Sequence, residues 1–433
     1  MTLKKIIIMT ENKQENVFDK RGGDVQAEIK QYPLEKMDLL STTSSTGSKT
    51  YNRCTENVFR ILQAHPDFKG RFRFDEWIQK QEIQHGKKWL ELDDSDFVPI
   101  QRKISAMYPQ FRMVSKEMVI DAIQDACRAN SYDRAADYVK KIKWDGKGRL
   151  DSWLHQVYGV ENNAYHKAVG ANFFKGMVKR IIKPGCKFDT VMILEGKQGC
   201  GKSTSLSLIA GNWHLETTMK ADNKDFFLQF KGKLIVEFSE GETMSRTETK
   251  NMKAMISTRV DTYRAPYGRI MKDVPRRCIF AMTTNQDEYL KDESGNRRFF
   301  PVEVVRERVD LEWIRNNRDQ MFAEALHRVE VLKESVYEYP SEAEEYQMDK
   351  MVRSPYEEDI SKWLKNPFIG GTQARDLAEG ISISEVWSYA LIGDKAKMRK
   401  SEEMQIGLAL RQMGFEKRKS GPKESRNWRW FLK

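Results

Sequence analysis

Gly196-Lys197-Gln198-Gly199-Cys200-Gly201-Lys202-Ser203 is the stretch on which the reading of this chain turns. It fits the pattern GxxxxGK[ST]. It also follows the apolar run Val191-Met192-Ile193-Leu194-Glu195 and opens a helical run, Thr204 to Ala210, which is the strand, loop and helix setting that a phosphate-binding loop requires. The glycines let backbone N–H groups converge on phosphate oxygens, and the helix N-terminus adds a favourable dipole. Lys202 can reach the β- and γ-phosphates of a nucleoside triphosphate, and the Ser203 hydroxyl can ligate Mg2+. ATP and Mg2+ are therefore the expected cofactors, with Gly196, Gly199, Cys200, Gly201, Lys202, Ser203 and Thr204 as the binding set.

A phosphate loop alone does not separate kinases, GTPases and motor ATPases, but the residues downstream do. Lys233 to Phe238 is an apolar strand that carries Glu237 and is followed by Ser239 and Glu240. Such an enzyme needs one carboxylate near the metal and another to polarise the attacking water. The two acids are three positions apart instead of adjacent, which leaves their roles open. Glu240 is the choice for orienting water, while Glu237 serves the metal or is a satisfied polar residue of the sheet. The strand Ile279-Phe280-Ala281-Met282-Thr283-Thr284 ends in Asn285, whose amide can donate and accept at once, as the sensor of AAA+ enzymes does. Eleven residues after Asn285, the turn Asn296-Arg297-Arg298 begins and places two guanidiniums before an apolar strand. Fixed planar donors suit the charge that spreads over a γ-phosphoryl group, and a neighbouring subunit can supply them.

Outward from the loop, short apolar strands alternate with helical stretches, the rhythm of an α/β fold with a parallel sheet covered on both faces. The expected strands are Val191–Glu195, Trp213–Glu216, Leu234–Phe238, Ile279–Thr283 and Pro301–Val304. Residues 1–50 read as a disordered tail and linker, since Ser41 to Ser48 is almost wholly Ser, Thr and Gly. Residues 51–143 read as a small, mainly helical module, with Val58, Phe59 and Leu62 on one face and Val119, Ile123 and Ala126 on another after a Ser115 cap. The ATPase core spans 144–310 and a charged helical connector 311–353. Residues 354–433 suggest a winged helix that could bind duplex DNA, such as an origin: two helices, Ser384–Leu391 and Glu402–Met413, precede a basic hairpin from Phe415. From Lys397 to Lys433 there are 11 basic and 4 acidic residues, so positive charge concentrates in this module. A packing or protein-docking module is its rival reading.

With these elements in order, the core resembles the virulence-associated protein E family of phages and mobile elements, relatives of superfamily III replicative helicases. The resemblance spans about Trp144 to Val305. It rests further on Lys253-Ala254-Met255-Ile256-Ser257 followed by Asp261-Thr262-Tyr263-Arg264-Ala265-Pro266-Tyr267-Gly268-Arg269. That family's corresponding segment is a hairpin that grips single-stranded DNA in the channel of a hexamer. The resemblance therefore implies a ring helicase, with Lys202, Ser203, Glu240, Asn285 and one of Arg297 or Arg298 in the ATP-site roles. It also implies that Lys253, Arg264, Tyr267, Arg269 and Lys272 contact DNA. Charge beside stacking faces agrees, because Arg276 and Arg277 add to the basic set and Tyr263 to the aromatic one.

Composition is compatible. The 433 residues hold 74 Lys plus Arg against 63 Asp plus Glu, a formal charge of +11 that favours a polyanionic partner such as DNA. The five cysteines form no CxxC pair, so neither a zinc site nor a disulfide framework is suggested. Nothing resembles a membrane span, and a location in the cytoplasm of a bacterial host cell is expected. The acidic run Asp93-Asp94-Ser95-Asp96 has no second acidic strand motif nearby, which argues against primase metal chemistry. Two rivals to the helicase reading are a DNA-binding regulator whose ATPase is a switch, and a small-molecule kinase.

Overall fold

Every residue of Val191–Glu195 is buried, and so is every residue of Ile235–Phe238 and Ile279–Thr284, as expected of strands with both faces covered. In the computed structural model these strands lie in one five-stranded parallel sheet, in the order Phe299–Glu303, Val191–Glu195, Ile279–Thr284, Ile235–Phe238, His214–Thr217. The structure describes residues 32–111, 114–218, 226–239, 246–264, 271–290, 296–351, 354–365, 368–369, 373–374, 379–420 and 427–432. All five expected strands are present. The last begins at Phe299 instead of Pro301, because Phe299 and Phe300 are themselves core residues.

Side-chain alternation divides the two faces of the sheet. Val191, Ile193, Val236, Phe238, Phe280 and Met282 pack with Phe226, Phe230, Met252, Met255 and Ile256 on one side. Ring centroids of Phe230 and Phe238 lie 5.8 and 5.6 Å from that of Phe280, and burial of each ring contributes about 1.5–3 kcal/mol. Glu237 points to the other face from Val236 and Phe238. The helix Leu311–Glu330 packs against Ala164–Ile182 and against Lys202–Ala210. The expected charged connector thus supplies packed elements: Ala343–Asp349 lies on the edge strand, where Gln347 donates to Phe299 O. Tyr346 stacks on Tyr165 at 3.9 Å.

The chain divides into two compact units, Met1–Lys141 and Ile142–Lys433. The first corrects two expectations. Residues 32–50 are not a disordered linker: Ser41–Thr43 pairs with Lys49–Tyr51, and Met37 and Leu39 join the core of Val58, Ile61 and Leu62. The cause is Asn57, whose side chain accepts from Leu40 N and donates to Leu40 O and Asn52 O, pinning a polar stretch by backbone bonds that composition does not register. Residues 1–31 lie outside the described part. The module is also not simply helical, since Lys88–Glu91, Lys80–His85, Phe72–Asp75 and Ser131–Tyr132 form a four-stranded sheet. These strands of two to six residues are too short to show a clear alternation. Phe72 and Trp77 are core, and the Arg73 guanidinium lies 3.9 Å from the Trp89 ring and 4.0 Å from Tyr132. The acidic run before Phe97 is a helix start, with Asp93 accepting from Ser95 N and Asp96 from Asp93 N.

The last part of the chain builds a separate cluster from Ile360, Trp363, Ile381, Val386, Ile406, Leu410, Phe415 and Trp430. Glu357–Lys365, a helical stretch from Ile383 to Ala390, and Lys400–Gln412 precede the antiparallel hairpin Phe415–Ser420 with Asn427–Leu432. Among the described residues no helix is long and apolar enough to cross a membrane.

Candidate functional site

The phosphate-loop sequence turns where glycine is needed. Gly199 and Gly201 have φ of +77° and +108°, a region that side chains other than glycine rarely adopt, and Gly201 stands immediately before the helix Lys202–Ala210. Gly196 N donates to Thr284 O at 3.3 Å, tying the loop's start to the end of the neighbouring strand. Cys200 is buried and Thr204 is exposed on the first helical turn.

Lys202 is buried at the loop's centre, where Nζ donates to Gly196 O at 2.6 Å, Lys197 O at 2.9 Å and Asn285 Oδ1 at 2.8 Å. Ser203 Oγ donates to Glu237 Oε1 at 2.6 Å, and Thr283 Oγ1 donates to the same oxygen at 2.8 Å. The other carboxylate oxygen, Oε2, lies 2.9 Å from His214 Nε2. Burial by itself would push the Glu237 carboxyl up, but hydrogen bonds from His214, Ser203 and Thr283 outweigh it and hold the group below the usual carboxylate range. Four of the sequence-derived residues, Lys202, Ser203, Glu237 and Asn285, thus meet outside the carboxyl ends of three adjacent strands, where open α/β sheets bind ligands. Glu240 lies outside the described residues.

Sequence reasoning missed one participant, and it missed an ion pair beside the loop. His214 begins the strand beside Glu237 and was read only as part of a strand. Glu195, the last residue before the loop, is buried, and Lys350 Nζ lies 2.7 Å from it. Burial raises its carboxyl, and the Lys350 ammonium offsets this only in part. Nothing local to Glu195 identifies a partner 155 residues further on.

Arg297 and Arg298 are at the opposite end of the sheet. Phe299 is level with Val191, so the turn Asn296–Arg298 sits beside the strand starts. Five residues of strand, about 16 Å, separate it from the loop end. Arg297 is exposed, whereas Arg298 Nε donates to Ser257 Oγ at 3.1 Å and lies 3.9 Å from Asp189.

The expected hairpin is present as Val260–Arg264 paired with Met271–Pro275, and residues 265–270, including Tyr267 and Arg269, lie outside the described part, as does the Arg264 side chain. Lys272 is exposed. Lys253 is half-buried on the preceding helix, with Nζ 6.0 Å from the Phe299 ring. The hairpin's root corrects the basic and aromatic set. Tyr263 is buried, and Arg276 is almost fully buried in an ion pair with Asp261, donating also to Met255 O. Arg277 donates to Ile181 O at 2.9 Å. A guanidinium so placed fixes the hairpin to the body instead of reaching a phosphate.

No curated protein matches this chain. Among solved structures, the A-form apo structure of the NrS-1 C-terminal region aligns with a TM-score of 0.49 at 14% identity, covering 88% of this chain and 100% of that one. A second apo structure of the same region gives 0.48 at 16% identity, with 83% and 95% covered. Both likenesses are too loose to assign a function. The family model of the virulence-associated protein E-like domain matches residues 139–358, half of the chain and the whole of the parallel sheet with its loop, and the chain belongs to that family.

Proposed function

We propose that this chain is an AAA+ type ATPase that acts as a ring-forming DNA helicase or helicase-initiator in the replication of a phage or mobile element. The observation that carries the reading is the junction of Lys202 with Asn285 and of Ser203 with Glu237 at the sheet's carboxyl edge. The triphosphate would enter the loop of Gly196 to Ser203. Its γ-phosphate gives Lys202 a stronger, charge-assisted acceptor than the carbonyls it now serves, which lets the Asn285 amide turn toward an attacking water. Ser203 and Glu237 are hard oxygen donors of the type that Mg2+ takes, and they would hold it; when bound, the ion supplies charge that neutralises the β- and γ-phosphate oxygens. Glu240 follows as the residue that polarises the water.

Arg297 is the better candidate for an arginine finger, since Arg298 is already engaged with Ser257 and Asp189. Its distance from its own loop fits a finger that serves the next subunit. The hairpin that pairs Val260–Arg264 with Met271–Pro275 would track single-stranded DNA, with Tyr267 and Arg269 as the residues proposed to grip it. The C-terminal cluster, winged-helix-like in element order, would add a second contact with DNA.

DNA-stimulated ATP turnover and strand displacement test this reading. Lys202→Ala should abolish both, while Tyr267→Ala with Arg269→Ala should leave basal turnover and abolish displacement. Near-normal turnover by Lys202→Ala would remove the loop from the mechanism. DNA binding with turnover but no displacement by the wild-type chain would favour the regulator with an ATPase switch.

A further inference from the structure

The C-terminal hairpin carries an exposed tryptophan. In the strand register Lys419 faces Trp428 and Lys417 faces Trp430, so these four side chains share one face. Trp430 is 2% exposed and anchors the module's core, whereas Trp428, two residues nearer the hairpin's turn, is 53% exposed. The ammonium groups of Lys417 and Lys419 lie 5.3 and 5.2 Å from the Trp428 ring centroid. On the opposite face Arg418 pairs with Glu416 at 2.7 Å, and Arg429 donates to Gly380 O. Positive charge and an open aromatic surface are therefore combined on the Trp428 face.

The helix that would read a duplex is poorly made for it. In a helix-turn-helix or winged-helix reader, the N-terminal residues of the helix before the hairpin meet base edges and phosphates in the major groove. Here the first turn of Lys400–Gln412 carries the exposed Lys400 together with Glu402 and Glu403, and the exposed positions that follow Ser401 are Glu403, Met404 and Arg411. These two carboxylates offset the exposed Arg399 and Lys400 and leave that end without a net positive charge for the phosphate backbone, and neither Met404 nor the half-buried Leu408 offers a hydrogen bond to a base edge.

We infer that the C-terminal hairpin is a binding site for single-stranded DNA, in which an unpaired base stacks on Trp428 while Lys417 and Lys419 neutralise the flanking phosphates. Every base has a π-face, so the site tolerates sequence. Paired bases in a duplex keep their faces covered by their neighbours and cannot use it. The inference does not depend on the nucleotide site: loss of single-strand binding with ATP turnover intact separates the two readings.

The test is fluorescence anisotropy of the full chain, without nucleotide, on a labelled mixed-sequence single strand and on the matching duplex. Trp428→Ala should weaken single-strand binding about tenfold and duplex binding far less, and Trp428→Phe should restore most of the loss. Lys417→Gln with Lys419→Gln should reduce the salt dependence of single-strand binding by about 1.4 in slope. This lysine pair decides the matter if Trp428→Ala destabilises the module. Wild-type affinity and slope in these variants would overturn the site, as would an equal loss on duplex or equal weakening by Ala and Phe.

Discussion

Ser203 and Glu237 are joined by a 2.6 Å hydrogen bond across 34 residues of sequence, and this contact ties the buried acid of one strand to the loop that carries the GxxxxGK[ST] pattern. Glu237 is fully buried one residue from the carboxyl end of its strand, where an isolated carboxylate would be costly. It is tolerated because its two oxygens have three partners, Ser203, Thr283 and His214.

His214 therefore orients the carboxylate that would meet the metal, as outer-shell partners of metal ligands do. His214→Ala should require about tenfold more Mg2+ for half-maximal ATP turnover, with the rate at saturating Mg2+ changed much less. A Mg2+ titration of the two proteins measures this. An unchanged Mg2+ dependence would reduce the imidazole to packing.

Glu237 also fixes the sign of a pH effect. Its carboxyl is held below the ordinary value of 4.5, so the folded state binds the proton less tightly than the unfolded chain does. The stability it contributes is fully present above that value and is lost as pH falls through the lower, folded one. Glu237→Gln should cost about 1–3 kcal/mol at neutral pH. In urea melts the gap from wild type should narrow once pH falls below about 4.5, and a gap constant with pH would contradict the assignment.

Arg276 and Asp261 test whether the hairpin's root is structural. Asp261→Asn leaves a buried guanidinium without its counter-charge and should cost about 3–5 kcal/mol in a thermal or urea melt. Replacing both, Arg276→Met with Asp261→Leu, should cost less than either change alone. Two small, additive losses would show that the pair is not buried in solution.

The parallel sheet was legible because four of its five strands are short, largely apolar runs, and the loop's glycines and lysine carry their own spacing. The hairpin Ser41–Tyr51 was not legible, since its order comes from the side chain of Asn57 and from burial of Met37 and Leu39. Composition alone marks such a stretch as unstructured. Arg276 misled for a related reason: a cluster of basic residues looks alike whether it is solvated or paired, and the partner Asp261 lies across the hairpin. His214 and the Lys350 partner of Glu195 were hidden because strand order and chain return, not spacing, bring one beside Glu237 and the other beside Glu195.

Subunit mixing tests the central claim most directly, because Arg297 stands about five strand residues from its own phosphate loop and would act on a neighbour's. Lys202→Ala and Arg297→Ala should each be nearly inactive in DNA-stimulated ATP turnover. Mixed in equal amounts they should regain about a quarter of wild-type turnover, since random assembly pairs an intact loop with an intact finger at one interface in four. A mixture as inactive as its parents, or an Arg297→Ala protein that turns over ATP at the wild-type rate, would contradict hydrolysis between subunits.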